Sequence, residues 1–465
     1  MSSKAKVIAL ILSSAMAMNA YCAEMSSKDA PKEKAKPVNA KVEFVQKLQN
    51  LLNSGDLDAA IASFDSLSDE NTKDSDLMLI KASLLISSGK TSDALKVLDA
   101  LEENDPSNIE VLEMKIVAAK AQGSKGTSAK KAAISKVIAL DPNNATANIE
   151  LAQEQVINHK YKFARNYYKK ALISSPKDPG ALFGYGQTSY YLNDIDEARI
   201  AFKKMLALNP NAAIAYQYLG KLEAEDENYK AALEYINKAI EIEDDNYDFY
   251  MDLGTYSRYR GKFADAEKAW TKAISINPEY FLAYTYRAGL YDEQNKLDLA
   301  LNDYRKVVET NPKYYFAYEA LGILAWHAES YDEARKAFET AYSYNKENVS
   351  YPLMIAACYI KAGQLQKAKL FLQQVMKGMA DKQTVEFSMV RLYHDQGPGN
   401  AENDLAIKIP KIDKTTPKGK MLFYFALYYD LKGVNTLAAK YYAEVKNMNS
   451  PMFFEYRLAE WSLEK

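Results

Sequence analysis

A chain of 465 residues would ordinarily divide into about three globular domains. Its 59 Lys and Arg against 61 Asp and Glu, a formal charge of −2, lack the basic excess that a nucleic-acid partner requires. Apolar residues at 48% and charged residues at 26% suit a soluble, well-packed protein, while two cysteines and three histidines leave little for metal or thiol chemistry.

The first segment reads as an export signal. Lys4 and Lys6 precede an apolar run of 12 residues from Val7 to Met18, and small residues follow. That run is too short to span a bilayer and fits a secretory signal over residues 1–23. Its cleavage point stays open. Ala20-Tyr21-Cys22 reads as a small-x-small site with cleavage after Cys22, whereas cleavage after Ala23 puts bulky Tyr21 where a small residue is preferred. Cys22 is alternatively the lipid-modified first residue of a bacterial lipoprotein, with Tyr21 standing where Gly or Ala is expected. Residues 24–40 lack periodicity, are rich in Lys, Ala and Pro, and read as a disordered linker. No other stretch could cross a membrane.

From residue 41 onward an internal period dominates. Alanine returns at Ala164, Ala198, Ala232, Ala266, Ala300, Ala334 and Ala368, every 34 residues, and the same step links Ala60 to Ala94. Pro142, Pro176 and Pro210 keep that beat, as do Pro278 and Pro312, and proline stops a helix. Four residues after each alanine stands a large side chain: Tyr168, Phe202, Ile236, Trp270, Tyr304, Phe338 or Leu372. Three further comes Ala171, Leu206, Ala239, Ala273, Val307, Ala341 or Val375, with Leu206 displaced by one. Spacing of i, i+4, i+7 is one face of an α-helix. A first helix precedes it, carrying Tyr216, Leu219 and Gly220 in one unit and Tyr250, Leu253 and Gly254 in the next.

This phasing starts units at residues 41, 75, 109, 145, 179, 213, 247, 281, 315 and 349, an array over 41–382. A degenerate unit from 383, a final unit from 419 and a C-terminal capping helix fill 383–465. Gly123-Ser124-Lys125-Gly126-Thr127 lengthens the turn of the unit at 109, and Gln396-Gly397-Pro398-Gly399 breaks the unit at 383. Arg287 stands where leucine is usual. Met421 to Tyr429 is apolar almost all round and should be buried on both sides, and Phe453, Phe454, Tyr456, Leu458 and Trp461 mark the helix that covers the last unit. The cluster Lys408, Lys411, Lys414, Lys418 and Lys420 reads as a solvated loop before an acidic or lipid contact.

The pattern resembles the tetratricopeptide repeat, W-x2-L-G-x2-Y, then A-x3-F, then P over 34 residues. The resemblance implies an all-α solenoid of about 12 stacked helix-turn-helix units forming a superhelix. It also implies that the first helices line a concave groove for a protein or peptide partner. Opposite their packing face lie Phe183, Tyr190 and Tyr191, then Arg258 and Tyr259, then Trp326 and His327, then Arg391 and His394. Large aromatics and arginines are frequent in binding hot spots. The Lys and Asn clamp of chaperone-binding members is missing: Val45, Leu79, Ile149 and Phe183 hold those positions, with Gln49, Gln153 and Gln187 one turn on.

Catalysis is not expected. His159, His327 and His394 have no partner at metal-ligand spacing, and no G-x-S-x-G, H-E-x-x-H or phosphate-cradling loop occurs. Gly184-Tyr185-Gly186 falls inside a helix, and Asp244-Asp245 and Asp292-Glu293 read as solvated helix ends. The sequence therefore points to a non-enzymatic, exported scaffold without a cofactor, in the periplasm or cell envelope, that binds protein or peptide. The alternative is an assembly factor for surface polysaccharide or pilus export, anchored to the membrane through a lipid on Cys22.

Overall fold

The computed structural model describes residues 40–67, 71–397 and 400–464. The export signal, the linker before residue 40 and Cys22 lie outside the described residues. Among these there are 25 α-helices, a few short 3-10 turns and no strand. No helix among them is long and apolar enough to cross a membrane. The chain divides into two bodies, up to Leu222 and from Glu223, so the division falls within the helix Ala213–Glu225.

In the first body helices come in antiparallel pairs, such as Ser75–Ser87 with Thr91–Asn104, Ala145–Ile157 with Tyr161–Ser174 and Pro179–Tyr191 with Ile195–Leu208. The second body repeats the theme from Tyr247–Tyr259 with Phe263–Ile276 through Thr415–Leu431 with Asn435–Lys446, and ends in the helix Phe454–Glu464. Within each body several successive first helices touch one another and form a wall.

Local chemistry starts and stops these helices. Asp74, Asn108, Asn144 and Asp178 each cap a first helix by accepting a hydrogen bond from the backbone three residues on, which satisfies an otherwise orphaned N–H. Each turn into the second helix needs one left-handed residue. Seven in succession lie 34 apart: His159, Asn193, Glu227, Gly261, Asn295, Glu329 and Gly363, with φ between 55 and 71. Gly261 and Gly363 take this conformation freely and Asn193 and Asn295 readily, so the strain that tertiary packing must offset falls on His159, Glu227 and Glu329.

The recurring alanines are the point of closest approach. Ala60, Ala94, Ala164, Ala198, Ala232, Ala266, Ala300, Ala334 and Ala368 are all 0% exposed. The large residue four positions on fills the space beside them, and Phe202, Ile236, Trp270, Phe338 and Leu372 are wholly buried. At Gly254 a Cβ would lie 2.3 Å from the Trp270 indole nitrogen, so only glycine lets that ring seat and donate to the Met251 carbonyl at 3.3 Å. One expectation needs correction, and one departure from the pattern finds its reason. Leu206 is not the third core residue of its helix; Met205 is, because the strict i+7 position after Ala198 falls there and methionine adapts to the gap. Arg287 is no mere lapse in the pattern. It makes a two-pronged pair with buried Asp303, 2.8 Å at each prong, and donates to the Thr271 hydroxyl at 2.8 Å.

Candidate partner-binding walls

The residues expected to line a groove fall in both bodies. In the first body, Phe183 and Tyr190 are half-buried members of an aromatic cluster. Phe183 stands 5.7 Å and Tyr190 5.8 Å from the ring of Tyr218, which itself stacks on Phe202 at 4.8 Å. Burial pushes the Tyr218 phenol well above its ordinary range, although the Gln187 amide that donates to it at 2.7 Å pulls the other way. The ring is therefore a neutral post holding three helices together. Tyr191 differs, being 49% exposed and packed against Tyr161 at 4.8 Å.

One position along this wall escaped the sequence reading. Ile157 ends the preceding first helix 34 residues before Tyr191, and it is 77% exposed. Val117, on the first helix before that, is also exposed. Extending the Tyr191 position back by one period would have found Ile157; an aliphatic residue simply does not announce itself as aromatics do. Ile157 and Tyr191 hold the same position on neighbouring first helices, and Val117 stands one turn earlier on the first helix before them.

In the second body, Tyr259 is 59% exposed and lies flat on Tyr229, 4.7 Å away with the rings 5° from parallel. Its neighbour Arg258 is engaged by Glu293 of the next first helix, so it braces the wall as well as facing solvent. Arg391 and His394 both turn to Asp395, at 3.2 Å and 2.8 Å, which holds that carboxyl below its ordinary range despite partial burial. Lys408 is likewise taken up by Asp404 at 2.8 Å, and Lys418 by the Pro410 carbonyl.

Trp326 and His327 lie beneath the C-terminal helix. The His327 ring is 4.2 Å from that of Trp461, and the Arg457 guanidinium stands 4.3 Å over the same indole. Arg457 reaches further, to Asp292 at 2.7 Å, a residue 165 positions away. On the other side of the helix Glu455 is fully buried and accepts from the hydroxyls of Ser350 and Tyr424. The helix expected only to cover the last unit thus also spans the first helices of earlier ones. Beside Trp326, Trp461, Lys361 and Asp430 a cavity of about 160 Å³ remains.

Burial pushes the Glu455 carboxyl above its ordinary pKa of 4.5, with the Lys420 charge and the Ser350 and Tyr424 hydroxyls opposing. The folded state therefore holds a proton that the unfolded state releases from about pH 4.5 upward. Stability should fall as pH rises through that window, by at most about 1.4 kcal/mol per pH unit, and level off above the raised value. Thermal unfolding followed from pH 5 to 9 checks this. Glu455→Gln should flatten the slope, and equal slopes in both proteins would show the carboxyl to be ionised throughout.

Comparison with known proteins places the pattern. One family model described as tetratricopeptide repeat matches residues 51–116 and 325–383, and a second of the same description matches 149–204, 186–248 and 251–315. The TPR repeat-containing protein YpiA of Bacillus subtilis (strain 168) is 24% identical over 372 residues, 73% of this chain and 88% of that one. A DnaJ homolog subfamily C member 7 homolog of Dictyostelium discoideum is 24% identical over 189 residues; the match spans 37% of this chain but only 35% of that protein. Among solved structures, MamA is similar at 26% identity and a TM-score of 0.32, over 35% of this chain and 95% of that one. The Cut9–Hcn1 hetero-tetramer of the APC/C is similar at 17% identity and a TM-score of 0.42, over 67% and 62%. Helix pairs on a 34-residue beat, buried alanines at each crossing and two matching repeat models along the array have one common explanation: the chain belongs to the tetratricopeptide-repeat family.

Proposed function

We propose that this chain is a non-enzymatic scaffold, exported to the periplasm or cell envelope, that binds a protein or peptide partner along the walls of its first helices. The observation that carries the reading is the exposure of Val117, Ile157 and Tyr191 on neighbouring first helices, large side chains left substantially open to water, Tyr191 even though its ring also packs on Tyr161. Its partner is an extended or helical segment with apolar side chains at matching intervals. The positive start, the short apolar run and the small residues before the array support export.

Capture from envelope extract tests the binding claim. Ile157→Ser with Tyr191→Ala should reduce recovery of the partner at least tenfold while leaving the helical circular dichroism unchanged. Undiminished capture by that double variant would remove these positions from the interface. Fractionation tests export: a chain found uncleaved in the cytoplasm sinks that part of the reading.

Cys22 favours a second reading, a lipid-anchored assembly factor for an envelope machine such as surface polysaccharide or pilus export. It stands where the targeting run ends and a Lys- and Pro-rich linker begins. Labelled palmitate incorporated by the unaltered chain and lost in Cys22→Ser supports the anchor; no label in either removes it.

A further inference from the structure

An end cap needs only to cover the last helix pair. The helix Phe454–Glu464 does cover it, lying on Thr415–Leu431 and Asn435–Lys446. Its remaining contacts are not those of a cap. Its residues reach first helices of three earlier pairs: Asp292 of Phe281–Glu293, His327 of Phe316–His327, and Ser350 of Ser350–Lys361. They do so as a bound ligand would. Phe454, Leu458 and Trp461 form an i, i+4, i+7 apolar face, with Phe454 near Phe338 at 6.2 Å and Leu458 and Trp461 buried. Two polar anchors flank this face, Glu455 toward Ser350 and Tyr424, and Arg457 toward Asp292. An amphipathic helix laid into a groove, with apolar anchors one turn apart and polar groups fixing the register, is a recurring mode of peptide recognition.

The seating is incomplete. Glu455 Oε2 and Asp292 Oδ1 are buried without a hydrogen-bond partner among the described residues. A buried polar atom without a partner costs free energy, so the resident helix is held less firmly than its buried face alone would hold it. The Arg457–Asp292 pair is about one-third open to water, where screening weakens it.

We propose that the first-helix wall running from Asp292 to Asp430 is a helix-binding groove whose resident occupant is the chain's own C-terminal helix, and that a partner helix with the same register displaces it. That register is an acid, Arg two positions on, Leu one further and Trp three beyond that, as in Glu455, Arg457, Leu458 and Trp461. The proposal rests on the reading of the chain as a partner-binding scaffold and adds that one wall is closed until a competitor arrives. A competitor sees an affinity reduced by the fraction of molecules in which the resident helix is docked.

The test uses the full chain and a fluorescent peptide of residues 452–465 as the probe. The unaltered chain should bind it weakly. Arg457→Glu in the chain weakens the resident helix alone and should tighten peptide binding at least tenfold. Adding Asp292→Arg to that variant restores the pair in reversed order, so binding of the unaltered peptide should fall back. A folded Arg457→Glu chain that binds the peptide no better than the unaltered chain overturns the proposal. So does tight binding by the unaltered chain, which would show the wall to be open.

Hydrogen exchange guards against a variant that unfolds. Excess peptide added to the unaltered chain should speed exchange in 454–464 while leaving 415–446 protected. Fraying of 415–446 along with the tail would show a cap and nothing more, and no change at all would show a wall that peptide cannot enter. Because the probe is the chain's own sequence, these outcomes do not depend on capture at Ile157 and Tyr191, and either claim can fail alone.

Discussion

Trp270→Ala should destabilise the second body by about 3–5 kcal/mol, among the largest effects of any single truncation in the chain. The indole is wholly buried against Ala266, Ala273, Ala283 and Leu290, and its N–H meets the Met251 carbonyl. Removing it leaves a cavity that Gly254 has no side chain to fill. In a stack of repeats the loss need not spread evenly, because each pair is held by its neighbours. Urea unfolding should shift to lower denaturant, and hydrogen exchange should speed most in Tyr247–Tyr259 and Phe263–Ile276. Tyr259→Ala, on the first helix of the same pair but at an exposed position, should cost less than about 1 kcal/mol. Equal losses from the two would mean that burial does not govern stability here.

Arg287→Ala should cost about 3–5 kcal/mol for a different reason. The guanidinium stands over the rings of Tyr284 and Tyr291, 5.9 Å and 5.7 Å from their centres, and is the two-pronged partner of Asp303. Those bonds and the Asp303 charge hold the guanidinium above its ordinary pKa in spite of burial. Without it a buried carboxylate is left alone. Replacing both partners, Arg287→Leu with Asp303→Leu, returns the repeat's usual leucine and should be close to neutral or stabilising by about 1–4 kcal/mol. The measurement is urea unfolding of the single and double variants. A double variant as unstable as Arg287→Ala would show that the pair contributes more than its own compensation.

Much of the fold was legible because the repeat writes the same packing problem into the sequence again and again. Ala232 and Ile236 recur as a pair wherever two helices cross, so the period alone placed them in the core. The left-handed turn positions were harder to read. Gly261 and Gly363 mark that position, and Asn193 and Asn295 mark it more weakly, but His159, Glu227 and Glu329 adopt the same backbone without a signature. Packing of the flanking helices imposes a conformation that local propensity would not choose. Surface roles were harder still. Arg258 and Arg391 carry the residue type of a hot spot, yet each meets a carboxylate of its own wall.

The sequence by itself determined the all-helical class, the paired helices and the identity of the core alanines, because these follow from spacing along one chain and are satisfied by immediate neighbours. Only the tertiary structure decided which parts of the walls stay open. The unit beginning at 383 has helices of just 11 and nine residues. Thr415–Leu431 lies against Ser350–Lys361 as well as against Val385–Asp395, and the final helix comes within reach of Asp292. Contacts over such distances in the chain depend on the angle accumulated from pair to pair, and no periodicity of side chains records that angle.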